Sequence, residues 1–347
     1  PSATMNCGCF PPFTGNCITG HYGGSHFPCV NYWMEDDTSP DGIKNETSME
    51  TGDDSEWLVD HFEDFLKENK EGPFMVLIWL HAVHVQFLAT PKWREYYQNK
   101  NPNYSSAQLD YFGDLSALDV QVGRVRDLLK EHDVADNTML WFTADNGPEG
   151  DGAGPYGSTD WPGSTNGLRG RKRSLFEGGV RVAGMIEWPK KITKNAHTSF
   201  PAVSSDFLPT VMDILKLEPN SSWPLDGMSL IPTLENPASS NRSKPVGFEF
   251  DIGSGNGANM DYGWHATWVD NEWKLYAKIE KDDSSPNKGK ISETYLYNVV
   301  EDFSEQHDVK SQHLDLAKQM KLELQNWRES VWMSQTGPNE SGCYGTS

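Results

Sequence analysis

Met139-Leu-Trp-Phe-Thr-Ala-Asp145-Asn146-Gly147 is an apolar run that ends in a carboxylate, an amide and a glycine. Apolar residues that do not alternate with polar ones read as a short strand buried on both faces, here over 139–144. Pro73 to Leu80 has the same character and gives a second such strand. Between them, Leu109, Phe112, Leu115, Leu118, Val122, Val125 and Leu129 step by three or four, which predicts an amphipathic helix over 107–132. An earlier helix is predicted from Asp53, with Asp53 and Glu56 as a capping box and Leu58, Phe62, Phe65, Leu66 and Asn69 on one face. A strand near 181–187 and a helix over 206–216, capped by Asp206 with Pro209 in its first turn, follow. Strands alternating with helices imply an α/β main domain.

Further along, the pattern changes. A polar stretch over 236–245 reads as a linker. Beyond it Val246–Phe250, His265–Val269, Trp273–Ile279 and Thr294–Val299 read as short antiparallel strands, and a last helix is predicted over 314–333. The expected division is a main domain over 1–240 and a small α+β domain over 241–347. Residues 1–52, rich in Gly, Pro, Cys and aromatic residues, are expected to be loop-like.

The 347 residues carry a formal charge of −21, and 36% are apolar. That composition excludes collagen-like and disordered classes. The longest apolar run, Pro73 to Leu80, falls short of the roughly 20 residues a spanning helix needs, so no transmembrane segment is expected. Net acidity argues against nucleic acid as a partner, because such binding depends on Lys and Arg at phosphates. Four of the five cysteines (Cys7, Cys9, Cys17, Cys29 and Cys343) crowd the first 29 residues, at spacings that fit a disulfide-bonded loop better than a zinc knuckle. Asn-x-Ser/Thr sequons begin at Asn45, Asn103, Asn220, Asn241 and Asn339. Cysteines and sequons together point to the secretory pathway, lysosomal or extracellular.

Three segments carry chemistry. Asp145 and Asn146 follow a strand, where open α/β sheets place ligand sites, and offer hard oxygens for Ca²⁺ or Mg²⁺. Taken alone, Asp-Asn-Gly is also an ordinary turn. His81-Ala-Val-His84 follows the other strand, where a histidine can donate a proton to a leaving oxygen; the bland alternative is a packed or surface pair. Gly167-Leu-Arg-Gly-Arg-Lys172-Arg-Ser-Leu-Phe-Glu-Gly-Gly179 sets Arg169, Arg171, Lys172 and Arg173 among glycines. That cluster suggests an anion pocket with Lys172 as a point charge, against the alternative of a solvated basic turn.

In this order, "PFMVLIWLHAVH", "DYFGDLSALDVQVGRVRDLL", "ADNTMLWFTADNGPEG", "GLRGRKRSLFEGGVRVAGMIEWP", "SSDFLPTVMDIL" and "LDGMSLIPTL" resemble the sulfatases of the alkaline-phosphatase-like superfamily over about 55–325. "WKLYAKI … ETYLYNVVEDFSEQHDV" looks like that family's small C-terminal sheet. The resemblance implies a central mixed β-sheet flanked by helices. It implies hydrolysis of a small-molecule or glycan sulfate ester, with Asp145 and Asn146 as metal ligands for Ca²⁺ (or Mg²⁺). Lys172 would contact the sulfate, and His84 would contact the ester as the second histidine of a His-x-Pro-His motif in which Val83 replaces proline.

The family's nucleophile is a formylglycine made in a Cys/Ser-x-Pro-x-Arg motif, which this sequence lacks; Ser284-Ser-Pro-Asn-Lys288 has Lys for Arg and lies in the C-terminal domain. The N-terminal Asp-Asp metal pair and the Gly-Lys-x-x-His segment are also missing. The expectation is that the chain is the C-terminal part of a longer sulfatase, inactive by itself, with the nucleophile upstream. Two rivals remain: a phosphatase or phosphodiesterase relative with two metals, and a secreted, non-catalytic sulfatase-like binding protein.

Overall fold

A computed structural model describes residues 4–7, 30–35, 43–46, 54–84, 87, 89–150, 161–219, 225–238, 241–251, 263–282 and 289–336. They separate into two units, one of residues 1–138 with 153–163 and one of 139–152 with 164–347.

In the first unit, β1 (Thr4–Cys7), β2 (Val30–Glu35) and β3 (Ile43–Glu46) form an antiparallel sheet in that order. The register sets Thr4 opposite Trp33 and Tyr32 opposite Glu46. This corrects the loop reading of 1–52: strands of four to six residues between Gly and Pro clusters are too short to impose a visible alternation. Cys7 ends β1, and Cys9, Cys17, Cys29 and Cys343, with which the proposed disulfides would form, lie outside the described residues.

α1 (Ser55–Asn69) starts at Asp54, and Asp53 lies outside the described residues. The Asp54 carboxylate does not cap the helix; it bonds His81 Nδ1 instead. The buried face is Ser55, Val59, Phe62 and Leu66, rotated from the predicted one, and Asn69 is exposed, its amide donating to Phe65 O at 2.9 Å. α2 (Pro91–Lys100) escaped the sequence reading because its surface is polar, although Thr90 followed by Pro91 is a helix start. α3 (Ser106–Glu131) matches its prediction and is closed by a Ser105–Gln108 capping box. It buries Leu109, Val125, Leu128 and Leu129, while the predicted Leu115 is exposed.

Residues 73–80 depart from expectation. They form no ladder among the described residues. Phe74, Val76, Ile78 and Leu80 are half-buried, whereas Met75, Leu77 and Trp79 are 62%, 52% and 69% exposed. A strand buried on both faces needs a layer on each side. Among the described residues one side has none.

In the second unit, β4 (Leu140–Thr143) pairs antiparallel with β5 (Gly184–Glu187), Leu140 opposite Glu187 and Thr143 opposite Gly184. β4 is half-buried rather than buried, and β5 is its one partner among the described residues. α4 (Glu177–Val180) lies between them in sequence; α5 (Phe207–Leu215) and α6 (Ile231–Glu235) follow. Asp206 is buried at the start of α5 but its side chain does not cap it. It binds the Arg242 guanidinium through both oxygens (2.7 and 2.8 Å) and accepts from Val203 N and Met228 N. The predicted linker 236–245 is therefore anchored by a fully buried ion pair.

β6 (Val246–Asp251), β7 (Trp264–Asp270), β8 (Trp273–Lys281) and β9 (Gly289–Asn298) form the predicted antiparallel meander, and α7 (Leu314–Thr336) packs on it. Strand side chains alternate between faces. Leu275, Ala277 and Leu296 join Ala317, Met320 and Leu324 of α7 in one core. Tyr276 and Tyr297, one residue on, pack on the other face with Leu175 and Phe176. The sheet thus has the helix on one side and the predicted basic turn on the other.

Candidate functional site

β4 delivers Asp145 and Asn146 at its carboxyl end. Asn146 N donates to Asp145 Oδ1 at 2.8 Å, and Asn146 Nδ2 donates to Gly147 O at 2.9 Å. These bonds use the amide's nitrogen and leave Asn146 Oδ1 without a partner among the described residues, as a cation ligand requires. Asp145 is exposed and Asn146 half-buried.

The loop is sewn to the basic turn. Gly147 N donates to Gly179 O (2.9 Å), and Lys172 N donates to Pro148 O (3.0 Å). Glu149 O accepts from Arg171 Nη2 at 2.8 Å, and the Glu149 carboxylate accepts from Arg173 Nη1 at 2.5 and 2.7 Å. Only glycine permits this approach at 147, because an added Cβ would sit 1.9 Å from Gly178 O. Three residues span at most roughly 11 Å, so Asp145 and the Lys172 backbone occupy adjoining turns.

The four cations of 169–173 are not equivalent. Arg169 lies over the Phe176 ring at 3.7 Å and donates to Glu305 O at 3.1 Å. Arg171 and Arg173 are committed to Glu149, so the run is not a solvated basic turn. Lys172 is half-buried, and among the described residues its ammonium has neither an ion pair nor a hydrogen bond.

The turn closes on itself through Gly178 N to Arg169 O (2.6 Å) and stands on the C-terminal sheet. Phe176 stacks on Tyr276 with centroids 4.2 Å apart and planes 3° apart. Lys274 of β8, fully buried, donates a hydrogen bond to Glu177 Oε1 at 2.9 Å and forms an ion pair with Glu305 Oε1 at 3.0 Å. Glu305 Oε2 accepts from Glu177 N at 2.6 Å. Burial opposes the charge on Glu177, but Lys274 and Arg181 outweigh it and hold the carboxyl below its usual range. Burial pushes the Tyr297 phenol up to about 12. Lys274 and Glu305 went unnoticed in the sequence because a lysine alternating with apolar residues reads as the wet face of a strand.

His84 is exposed, in the first unit, on a turn closed by its N–H to His81 O at 2.7 Å. The structure thus joins Asp145, Asn146 and Lys172, and describes His84 in a separate unit.

Asp145 and Asn146 fit a hard divalent cation in kind, though two side chains fall short of the six to eight oxygens Ca²⁺ takes. Among the described residues no three His, Cys, Asp or Glu side chains gather into a metal site. No helix among them is long and apolar enough to cross a membrane.

The chain is 31% identical to rat (Rattus norvegicus) steryl-sulfatase over 178 residues, 51% of this chain and 29% of that protein. It is 29% identical to a sulfatase of Formosa agariphila over 291 residues, 78% of this chain and 48% of that protein. The chain therefore spans between about a quarter and a half of these relatives. Among solved structures, Ps i-CgsB superposes with a TM-score of 0.65 at 23% identity, covering 82% of this chain and 57% of that one. The PsFucS1 sulfatase from Pseudoalteromonas sp. superposes with a TM-score of 0.63 at 19% identity, covering 85% and 58%. These superpositions identify the fold as alkaline-phosphatase-like α/β with a C-terminal sheet. The sulfatase family model matches residues 16–217, more than half of the sequence, a span that holds both sewn loops, and by that match the chain belongs to the sulfatase family.

Proposed function

We propose that the protein hydrolyses a small-molecule or glycan sulfate ester, with Lys172 gripping the sulfate and Asp145 and Asn146 holding part of a Ca²⁺ (or Mg²⁺) site. The observation that carries this reading is Lys172 itself. It is the one cation of its run that has neither a hydrogen bond nor an ion pair among the described residues, and its backbone is bonded to the loop that bears the two metal-type ligands.

The chemistry follows from charge. Cleaving a sulfate ester concentrates negative charge on the non-bridging oxygens, and a preorganised ammonium stabilises it where it develops. When bound, the divalent cation supplies further Lewis-acid polarisation of those oxygens. Asp145 offers a carboxylate oxygen and Asn146 its Oδ1, while Gly147 keeps their loop against the lysine turn. His84 is assigned the proton donated to the leaving oxygen. The 347 residues contain no Cys/Ser-x-Pro-x-Arg motif, so they do not supply the formylglycine nucleophile, and this chain by itself is expected to be inactive. Residues 1–240 would belong to the catalytic domain and 241–347 to the small domain that buttresses it. Exposed Asn103 and Asn241 suit glycan attachment in a secretory, lysosomal or extracellular compartment.

The test is kinetic, in protein that carries the nucleophile motif, with a chromogenic aryl sulfate and Ca²⁺. Lys172→Ala should lower kcat/KM by about two to three powers of ten. Lys172→Arg should restore only part of it, since a planar fork replaces a point charge. Unchanged turnover in Lys172→Ala would refute the assignment.

A further inference from the structure

Lys274, Glu177 and Glu305 form an ionic cluster that the proposed reaction does not use directly. Lys274 and Glu305 are fully buried and Glu177 nearly so, and burying charges is costly unless geometry and hydrogen bonds are well made. Here they are. One ammonium bridges two carboxylates at 2.9 and 3.0 Å. Glu305 also holds both ends of the segment that carries Lys172: its carboxylate accepts from Glu177 N, and its carbonyl accepts from Arg169 Nη1. Arg181 Nε takes the other Glu177 oxygen at 2.5 Å. Within the closed turn an added Cβ at Gly178 would lie 2.2 Å from Gly170 O, and one at Gly179 would lie 2.0 Å from Ser174 O. The backbone of 169–179 therefore has little freedom except to move with its base.

From this geometry we infer that Lys274 is a positioning residue for the anion site: through Glu177 and Glu305 it fixes the turn that presents Lys172, so that the C-terminal sheet sets the aim of the sulfate-binding cation. The inference rests on reading Lys172 as the oxyanion contact. Side-chain alternation along β8 makes the division of labour clear. Leu275 and Ala277 face α7 and hold the sheet together, whereas Lys274 and Tyr276 face the turn and hold Lys172 in place.

The test uses the 347-residue chain with inorganic sulfate as probe, and reads the acetylation rate of Lys172 by peptide mapping. Sulfate should slow acetylation in the wild type. In Lys274→Met and Glu305→Gln the protecting concentration should rise by about tenfold or more, the equivalent of one lost charge-assisted hydrogen bond. Lys274→Arg, which keeps the charge, should recover most of the protection. Leu324→Ala, on the opposite face of the same sheet, should destabilise the chain without moving the protecting concentration. If Lys274→Met fails to fold, Glu305→Gln, which preserves volume and acceptor, decides. An unchanged protecting concentration in Glu305→Gln, or an equal rise in Leu324→Ala, would overturn the inference. If sulfate protects nothing in the wild type, the reading of Lys172 fails. The positioning role is then judged by deuterium uptake over 169–180. Faster uptake in Lys274→Met or Glu305→Gln but not in Leu324→Ala supports it, and equal uptake in all overturns it.

Discussion

Replacing Gly147 with alanine tests whether the Asp145–Asn146 loop and the Lys172 turn are one structure. The new methyl would lie 1.9 Å from Gly178 O, 2.9 Å from Gly178 C and 3.2 Å from Gly179 Cα, all backbone atoms with no rotamer to yield. The loops must part, which breaks the 2.9 Å bond from Gly147 N to Gly179 O. Overpacking costs about 1–3 kcal/mol. A buried donor left unpaired adds about 1–3 kcal/mol. The expected loss is about 2–6 kcal/mol, read as a shift in the urea midpoint at unchanged slope. Sulfate protection of Lys172 should weaken in parallel. Gly123→Ala is the control: nothing lies within 4 Å of its added Cβ, and it sits inside α3, where alanine is favoured over glycine by about 0.5–1 kcal/mol. A Gly147→Ala chain within about 0.5 kcal/mol of wild type, the range of an ordinary surface substitution, would show that the two loops are not packed as described.

Other perturbations give separate checks. Asp206→Ala leaves Arg242 buried without its partner and should cost about 3–5 kcal/mol in urea unfolding, most of it recovered when Arg242→Met is added; additive losses would refute the pairing. Tyr297 should be among the last phenols to ionise in an absorbance titration, near pH 12 rather than 10. Because its folded pKa is raised, the stability tied to it is intact below pH 10 and lost as pH rises toward 12, where the unfolded chain gives up the proton first. Tyr297→Phe should flatten that alkaline limb, and an unaltered limb would contradict the burial. Met75, Leu77 and Trp79 form an exposed apolar face, so Leu77→Lys should reduce self-association in sedimentation velocity without lowering the thermal midpoint. Identical sedimentation of the two proteins would count against it.

The sequence by itself determined the parts whose pattern is local. Periodicity of three to four placed α3 and α7, and alternation of two placed the four strands of the C-terminal sheet. The order of Asp145-Asn146-Gly147 before Lys172 and Glu177-Gly-Gly was enough to reach the family, because chemistry-bearing residues at fixed chain spacing need no coordinates to be seen. Burial was less legible. Apolar runs 73–80 and 139–144 read as buried strands, yet burial depends on which layers cover them, and that is a property of other segments. The Asp206–Arg242 pair is separated by 36 residues, so the polar stretch around Arg242 could only look like a linker. Tertiary structure alone decided which cation of the basic run is left for an anion. Arg169, Arg171 and Arg173 are claimed by Glu305 and Glu149, and Lys172 is not. It also decided what Lys274 does. In β8 a lysine beside apolar residues belongs to the face away from the core, and only the folded chain brings Glu177 and Glu305 there, 97 and 31 residues distant, so that the face meant for water by its pattern becomes the support of the site.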